Sequence, residues 1–189
     1  MSQERLGTGI ATLTLNPALD LQTAVDVVEP ENKLRCDAPR QDAGGGGVNV
    51  ARVIRRLGGR APCLLPLGGP AGQALQSRLA AEGLEALVVP IAGETRQSFT
   101  VLDRSRQAEF RFVLPGPRLS AREVSALEQA LERLDPCPGV LVLSGSLPPG
   151  FPPARLSRLA ARLRRRGVRL ALDTSGEGLK AGLEGGVWL

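Results

Sequence analysis

Apolar and polar positions follow two rhythms along this chain. Ile10–Leu15 reads "IATLTL", a short apolar run closed by Asn16-Pro17, which predicts a strand and its stop. Val50, Ala51, Ile54 and Leu57 recur at helical spacing until Gly58-Gly59 ends them. "APCLLPL" (Ala61–Leu67) predicts a buried strand, Ala74, Leu75, Leu79 and Ala80 one face of a helix, and "EALVVP" (Glu85–Pro90) a further strand. Ser120–Glu123, "SARE", is a capping box that opens a helix carried by Val124, Leu127, Leu131 and Leu134. "GVLVLSGS" (Gly139–Ser146) is a buried strand. Leu156, Leu159, Ala160 and Leu163 mark a helix that Pro153 can open, and "VRLALDTSGE" (Val168–Glu177) is a strand and turn. Repeated strand–helix units with continuous apolar strands predict an α/β fold with a mostly parallel sheet covered on both faces.

Two adjacent runs break that rhythm. "QSFTVLD" (Gln97–Asp103) and "AEFRFVL" (Ala108–Leu114) alternate with period two around the polar "RSRQ", which predicts a hairpin beside the main sheet. The polar, extended segment Leu21–Arg40 is a candidate for further strands of the same flap.

Composition narrows the chemistry. The 189 residues suffice for one domain with a sizeable core, and no apolar run approaches the ~20 residues that span a bilayer. The opening "MSQERLGTG" lacks the apolar segment of a signal peptide, so the expected location is the cytoplasm. Cys36, Cys63 and Cys137 are widely spaced and form no CxxC pair, which argues for reduced thiols rather than disulfides or zinc. There is no histidine, so any acid–base chemistry within these residues falls to Asp, Glu, Lys or Cys. The net charge is +5, much of it arginine in helical segments such as "ARLRRRG" (Ala161–Gly167). Aromatics are only 3 %, with no tyrosine, which argues for a solvated helix face and against a nucleic-acid partner.

Ligands of parallel sheets sit at the carboxyl ends of the strands. Asp20 follows the first strand by a short turn, Ser144-Gly145-Ser146 closes the strand from Gly139, and Asp173 closes the strand from Val168. Each alone is ordinary turn chemistry. Together, carboxylates and hydroxyls on one edge suit a ligand rich in hydroxyl groups. Gly44–Gly47 leads into a helix, where bare backbone and a helix N-terminus offer N–H donors, and Asn49 adds a donor and an acceptor. The run lacks the Gly-Lys-Ser/Thr of a P-loop, and the strand that a dinucleotide fingerprint needs is not expected directly before it.

Seven segments follow in order: "TLTLNPALD" (Thr12–Asp20), "ENKLRCDAP" (Glu31–Pro39), "GGGGVNVAR" (Gly44–Arg52), "TRQSFTV" (Thr95–Val101), "FRFVLPG" (Phe110–Gly116), "LSGSLPPG" (Leu143–Gly150) and "DTSGE" (Asp173–Glu177). Together they resemble the ribokinase-like (PfkB) carbohydrate kinases, most closely their minor bacterial phosphofructokinase branch. The resemblance implies a ribokinase-like sheet with a small β-sheet lid from about 21–40 and 97–114, which in this family often pairs between subunits. It implies ATP-dependent phosphorylation of a phosphorylated ketohexose, fructose 6-phosphate first. Kinases of fructose 1-phosphate and tagatose 6-phosphate share "TLNPALD" and stay as alternatives, as does a non-catalytic sugar-phosphate-binding fragment. By the same resemblance Asp20 binds sugar hydroxyls, and Gly45 and Gly46 let the sugar lie on the backbone. Asn49 hydrogen-bonds the sugar, Lys33, Arg35 and Arg96 hold its phosphate, Ser144 and Ser146 line the pocket, and Asp173 lies near the metal.

The resemblance also carries a departure. Family members continue past the position of "GGVWL" (Gly185–Leu189) with a Lys-Pro-Asn-x-x-Glu motif and later Gly-Ala-Gly-Asp, which place Mg2+, the nucleotide phosphates and the catalytic base. The 189 residues contain neither. The expectation is an acceptor-sugar half with the C-terminal part of the fold missing, no catalytic base of its own, no activity alone, and an open sheet edge at its last strand.

Overall fold

The computed structural model describes residues 9–189. Strands β1 (Ile10–Leu13), β4 (Cys63–Leu67), β5 (Ala86–Pro90), β8 (Val140–Ser144) and β9 (Arg169–Asp173) form a five-stranded sheet in the order β5-β4-β1-β8-β9. Every pairing in it is parallel. Strand side chains alternate between its faces. Leu13, Leu64, Leu141 and Leu143 pack into one cluster with Leu127 and Leu131 of α3 (Ala121–Glu132) and Leu156, Leu159 and Leu163 of α4 (Pro153–Arg165). Cys63, Leu65 and Leu67 pack into the other, with Val48 and Ala51 of α1 (Gly46–Arg56) and Leu75 and Leu79 of α2 (Gly69–Ala81).

Strands β2 (Ala18–Val25), β3 (Arg40–Gly44), β6 (Arg96–Asp103) and β7 (Ala108–Val113) form the second sheet, in the order β3-β2-β6-β7. The hairpin β6–β7 lies where the period-two pattern puts it. The first lid segment differs from expectation. β2 starts at Ala18, residues 26–39 form no regular element, and β3 runs directly into the glycines. A strand does precede the glycine run, against the sequence reading. It is a lid strand, antiparallel to β2, and not the parallel core strand of a dinucleotide fold.

Buried side chains fix the tip of the lid. Asp103 is fully buried and accepts from Val28 N (3.0 Å), Ser105 Oγ (2.7 Å), Arg106 N (3.0 Å) and Arg106 Nη1 (2.7 Å). These donors, the Val28 N–H foremost, hold its carboxyl far below the usual range. Arg104 ion-pairs with Asp37 and with Asp26 (3.3 Å), so both ends of the 26–39 loop are tied to the hairpin. In the body, Glu94 Oε1 accepts from Ala71 N at 2.7 Å in the first turn of α2, a carboxylate at the positive end of a helix dipole. The Ser120–Glu123 capping box is formed.

α5 (Gly176–Gly185) is a helix that the apolar pattern does not predict. Its glycines lower helix propensity, but Gly182 and Gly185 are buried where a larger residue would collide with neighbours. The outer edge of β9 is not fully open. Trp188 N donates to Leu170 O (2.8 Å) and Leu172 N to Leu189 O (2.7 Å), so the last residues lie along it. Arg169 sits 4.8 Å from the Trp188 ring, a cation–π contact.

Candidate functional site

Period two along the lid places one polar set on one face. Ala18, Asp20 and Gln22 of β2 stand opposite Arg96, Ser98 and Thr100 of β6. Ser98 and Thr100 in turn stand opposite Val113 and Arg111 of β7. These eight residues and Phe99 line a cleft of about 220 Å³, whose other wall is Gly45, Gly46 and Asn49 at the start of α1. The cleft therefore lies between lid and body, beside the carboxyl ends of β1 and β8.

Sterics explain the glycine run. Gly45 has φ +133°, a backbone that side chains rarely adopt. A Cβ on Gly44 would stand 2.2 Å from Asp20 Oδ2, on Gly46 2.1 Å from Ser144 Oγ, and on Gly47 2.6 Å from Thr14 Oγ1. The absent side chains let α1 approach β1 closely enough for Val48 N to donate to Thr14 Oγ1 (3.2 Å). They also leave the N-terminus of α1 without a side-chain cap or an acidic first-turn residue, facing the cleft. Such an end favours anions and hydroxyl oxygens.

Charges in the cleft are partly desolvated. Burial pushes the Asp20 carboxyl above its ordinary value, against the pull of Arg96 and Arg111 and of the Ser98 hydroxyl. Burial likewise lowers Arg96, with Asp20 opposing. Among the described residues Arg96 is held by backbone carbonyls: Nε donates to Asn16 O (3.2 Å) and Nη1 to Leu114 O (3.4 Å). Its remaining donors are available to an anion. Asn49 Oδ1 accepts from Arg52 Nη1 (2.6 Å), while Arg52 Nη2 bonds Ala43 O (2.7 Å) and Glu82 Oε1 (2.9 Å). That arrangement engages the Asn49 oxygen with Arg52, on a residue that lines the cleft.

The structure thus gathers Asp20, Gly45, Gly46, Asn49 and Arg96 around one space. Asp20 is a strand residue rather than a turn residue. Ser144 is 3 % exposed, donates to Asp173 Oδ2 (2.7 Å), and lies under Gly46 rather than in the cleft wall. Ser146 accepts from Asn16 Nδ2 (3.0 Å). Lys33 and Arg35 sit exposed on the 26–39 loop and do not line the cleft of their own chain. Among the described residues no group of three or more Cys, Asp or Glu side chains could hold a metal ion, and the Asp173 carboxylate accepts from Ser144 Oγ. Sequence reasoning missed Gln22, Ser98, Thr100, Arg111 and Arg52. The first four share the alternating face of Asp20 and Arg96, and Arg52 stands three residues after Asn49 on the same helix.

The model of the pfkB family carbohydrate kinases matches residues 13–189, and the chain belongs to that family. It is 47 % identical over 180 residues to the ATP-dependent 6-phosphofructokinase isozyme 2 of Mycobacterium tuberculosis H37Rv, covering 95 % of this chain and 53 % of that protein. It is 42 % identical over 174 residues to the enzyme of the same description from Escherichia coli K12, covering 92 % of this chain and 56 % of that one. The chain therefore spans about half the length of these relatives. Its fold superposes on the crystal structure of Escherichia coli phosphofructokinase-2 in complex with fructose-6-phosphate. The TM-score is 0.90 at 41 % identity, covering 95 % of this chain and 59 % of that one. A tetrameric inhibited form of the same Escherichia coli protein matches with TM-score 0.87 at 43 % identity. Among the described residues no helix is long and apolar enough to cross a membrane.

Proposed function

We propose that this chain is the acceptor-sugar half of a 6-phosphofructokinase, and that its cleft binds fructose 6-phosphate. The observation that carries the reading is the facing of Asp20, Arg96 and Arg111 on the lid against the uncapped N-terminus of α1. Asp20 accepts from sugar hydroxyls, the Gly45–Gly46 backbone and the Asn49 amide donate to them, and the two guanidinium groups take the phosphate bidentately. Ser144 and Asp173 support the cleft floor through Gly46. ATP and Mg2+ belong to the full-length cytoplasmic enzyme. Their site is assigned to the part of the family fold that this chain does not span, and no phosphoryl transfer is expected of the chain alone. Phe112 is 54 % exposed on the lid face opposite Asp20 and suits a lid-to-lid homodimer. Lys33 and Arg35 project from the same lid.

Calorimetric titration with fructose 6-phosphate tests the reading. Asp20→Ala and Arg96→Ala should each weaken binding roughly 10- to 100-fold, the worth of a hydrogen bond to a charged group. Binding unaffected by both variants rejects the assigned cleft. Turnover of ATP and fructose 6-phosphate by the pure chain rejects its inactivity.

A further inference from the structure

The crossings between body and lid meet at Asn16. This residue joins β1 to β2 and is 8 % exposed. Its carbonyl accepts from Arg96 Nε at 3.2 Å, and the same guanidinium reaches Leu114 O at the end of β7. Its Nδ2 donates to Ser146 Oγ at 3.0 Å, in the loop after β8. Gly116, on the chain returning from the lid, lies against the amide: a Cβ there would stand 2.0 Å from Asn16 Oδ1. One side chain thus touches the body loop and the lid's exit, and its own carbonyl holds the cleft arginine.

The amide is poorly used as a stabilising group. Among the described residues Asn16 Oδ1 is buried without a hydrogen-bond partner. Buried polar atoms are normally paired, and an orphaned one calls for a reason other than stability.

We propose that Asn16 is a positioning residue. It clamps the β1–β2 crossing between Ser146 and Gly116, and so aims the Arg96 guanidinium across the cleft. The inference rests on the sugar-phosphate reading only for what Arg96 is aimed at. The clamp itself is independent of any ligand.

The test uses the full chain and the Nε–Hε resonance of Arg96, assigned by its loss in Arg96→Lys. Asn16→Ala and Gly116→Ala should each move or broaden that resonance, one by removing the amide and the other by displacing it. Ser146→Ala should move it less, in the same direction. Cys63→Ala, a core change remote from the crossing, should leave it in place. The thermal midpoint of Asn16→Ala should stay within about 4 °C of the parent, because losing the Ser146 bond is offset by removing an orphaned acceptor. In calorimetry, Asn16→Ala should weaken fructose 6-phosphate about tenfold and leave unphosphorylated fructose unchanged. An unmoved Arg96 resonance in folded Asn16→Ala and Gly116→Ala overturns the proposal, as does an equal shift in Cys63→Ala. If the parent binds no fructose 6-phosphate yet its Arg96 resonance responds to both variants, the clamp stands and the sugar-phosphate reading falls. If the parent binds and Asn16→Ala binds equally with an unmoved resonance, the clamp falls and the reading stands.

Discussion

The two sheets of this molecule solve different problems with similar strands. The body strands are short and apolar on both sides, with helices over each face, so Leu65, Leu141 and Leu143 are fully buried. The lid strands alternate. Leu19 and Ala43 join the body core, Phe99 and Phe112 stay uncovered, and the opposite face carries Asp20, Arg96 and Arg111. A sheet buried on both faces has no surface left for a ligand. A sheet with one free polar face can offer charges to a cleft while its partner supplies the scaffold.

The sharpest way to break this comparison is to truncate one large apolar side chain in each sheet. Leu141→Ala, at 0 % exposure, should cost about 2–5 kcal/mol through lost burial and a cavity. Phe112→Ala removes more atoms but should change monomer stability by less than about 0.5 kcal/mol, because the ring is exposed. Denaturant unfolding checks both. A large loss for Phe112→Ala would mean that the outer lid face is buried in solution, and Phe112→Glu should then shift a dimer toward monomers in sedimentation.

The junction between the sheets comes next in size. Gly46→Ala puts a Cβ 2.1 Å from Ser144 Oγ, close to the Ser144 and Gly145 backbone that cannot move aside. The expected cost is about 1–3 kcal/mol, typical of an overpacked site, with loss of sugar-phosphate binding. Gly58→Ala is the contrast, since no atom lies within 4 Å of its added Cβ. Its φ of +83° still makes it mildly unfavourable, but it should leave the cleft untouched.

What the sequence made legible follows the same division. Apolar runs such as "GVLVLSGS" need only local pattern to read as buried strands, and the body sheet matches them closely. The seven motifs pointed to the family and to Asp20, Asn49 and Arg96. Ser98, Thr100 and Arg111 stayed hidden because their place depends on the parallel pairing of β2 with β6, strands nearly eighty residues apart, which no local period encodes. Once that pairing is known, period two alone assigns all three to the face of Asp20. α5 was missed for a related reason: its glycines are fixed by contacts with Leu172 and the Ser157 backbone, and tertiary packing overrides their poor propensity. Lys33 and Arg35 could be matched to a motif, but not to a place, because the loop that bears them has no period.

The smallest predicted effect separates two carboxylates of the same lid. Asp103 accepts four hydrogen bonds, and its carboxyl is held far below the ordinary value. A folded-state pKa below the unfolded one contributes stability above the unfolded value of 3.8, and that stability is lost as pH falls through the acid range. Asp20 behaves in the opposite sense. Burial raises its folded pKa, so protonation favours the fold and stability falls as pH rises from 3.8 through the raised value. At neutral pH the charged Asp20 therefore opposes folding, a cost consistent with a group kept for binding. Asp103→Asn should destabilise at pH 7 and flatten the acid limb of the stability curve. Asp20→Asn should slightly stabilise the chain at pH 7, remove the fall above pH 3.8, and weaken fructose 6-phosphate binding. Urea unfolding of the parent and both variants across pH 3–7 checks the signs. A loss of stability at pH 7 in Asp20→Asn would make Asp20 a structural partner of Arg96 and not a binding group held at a cost.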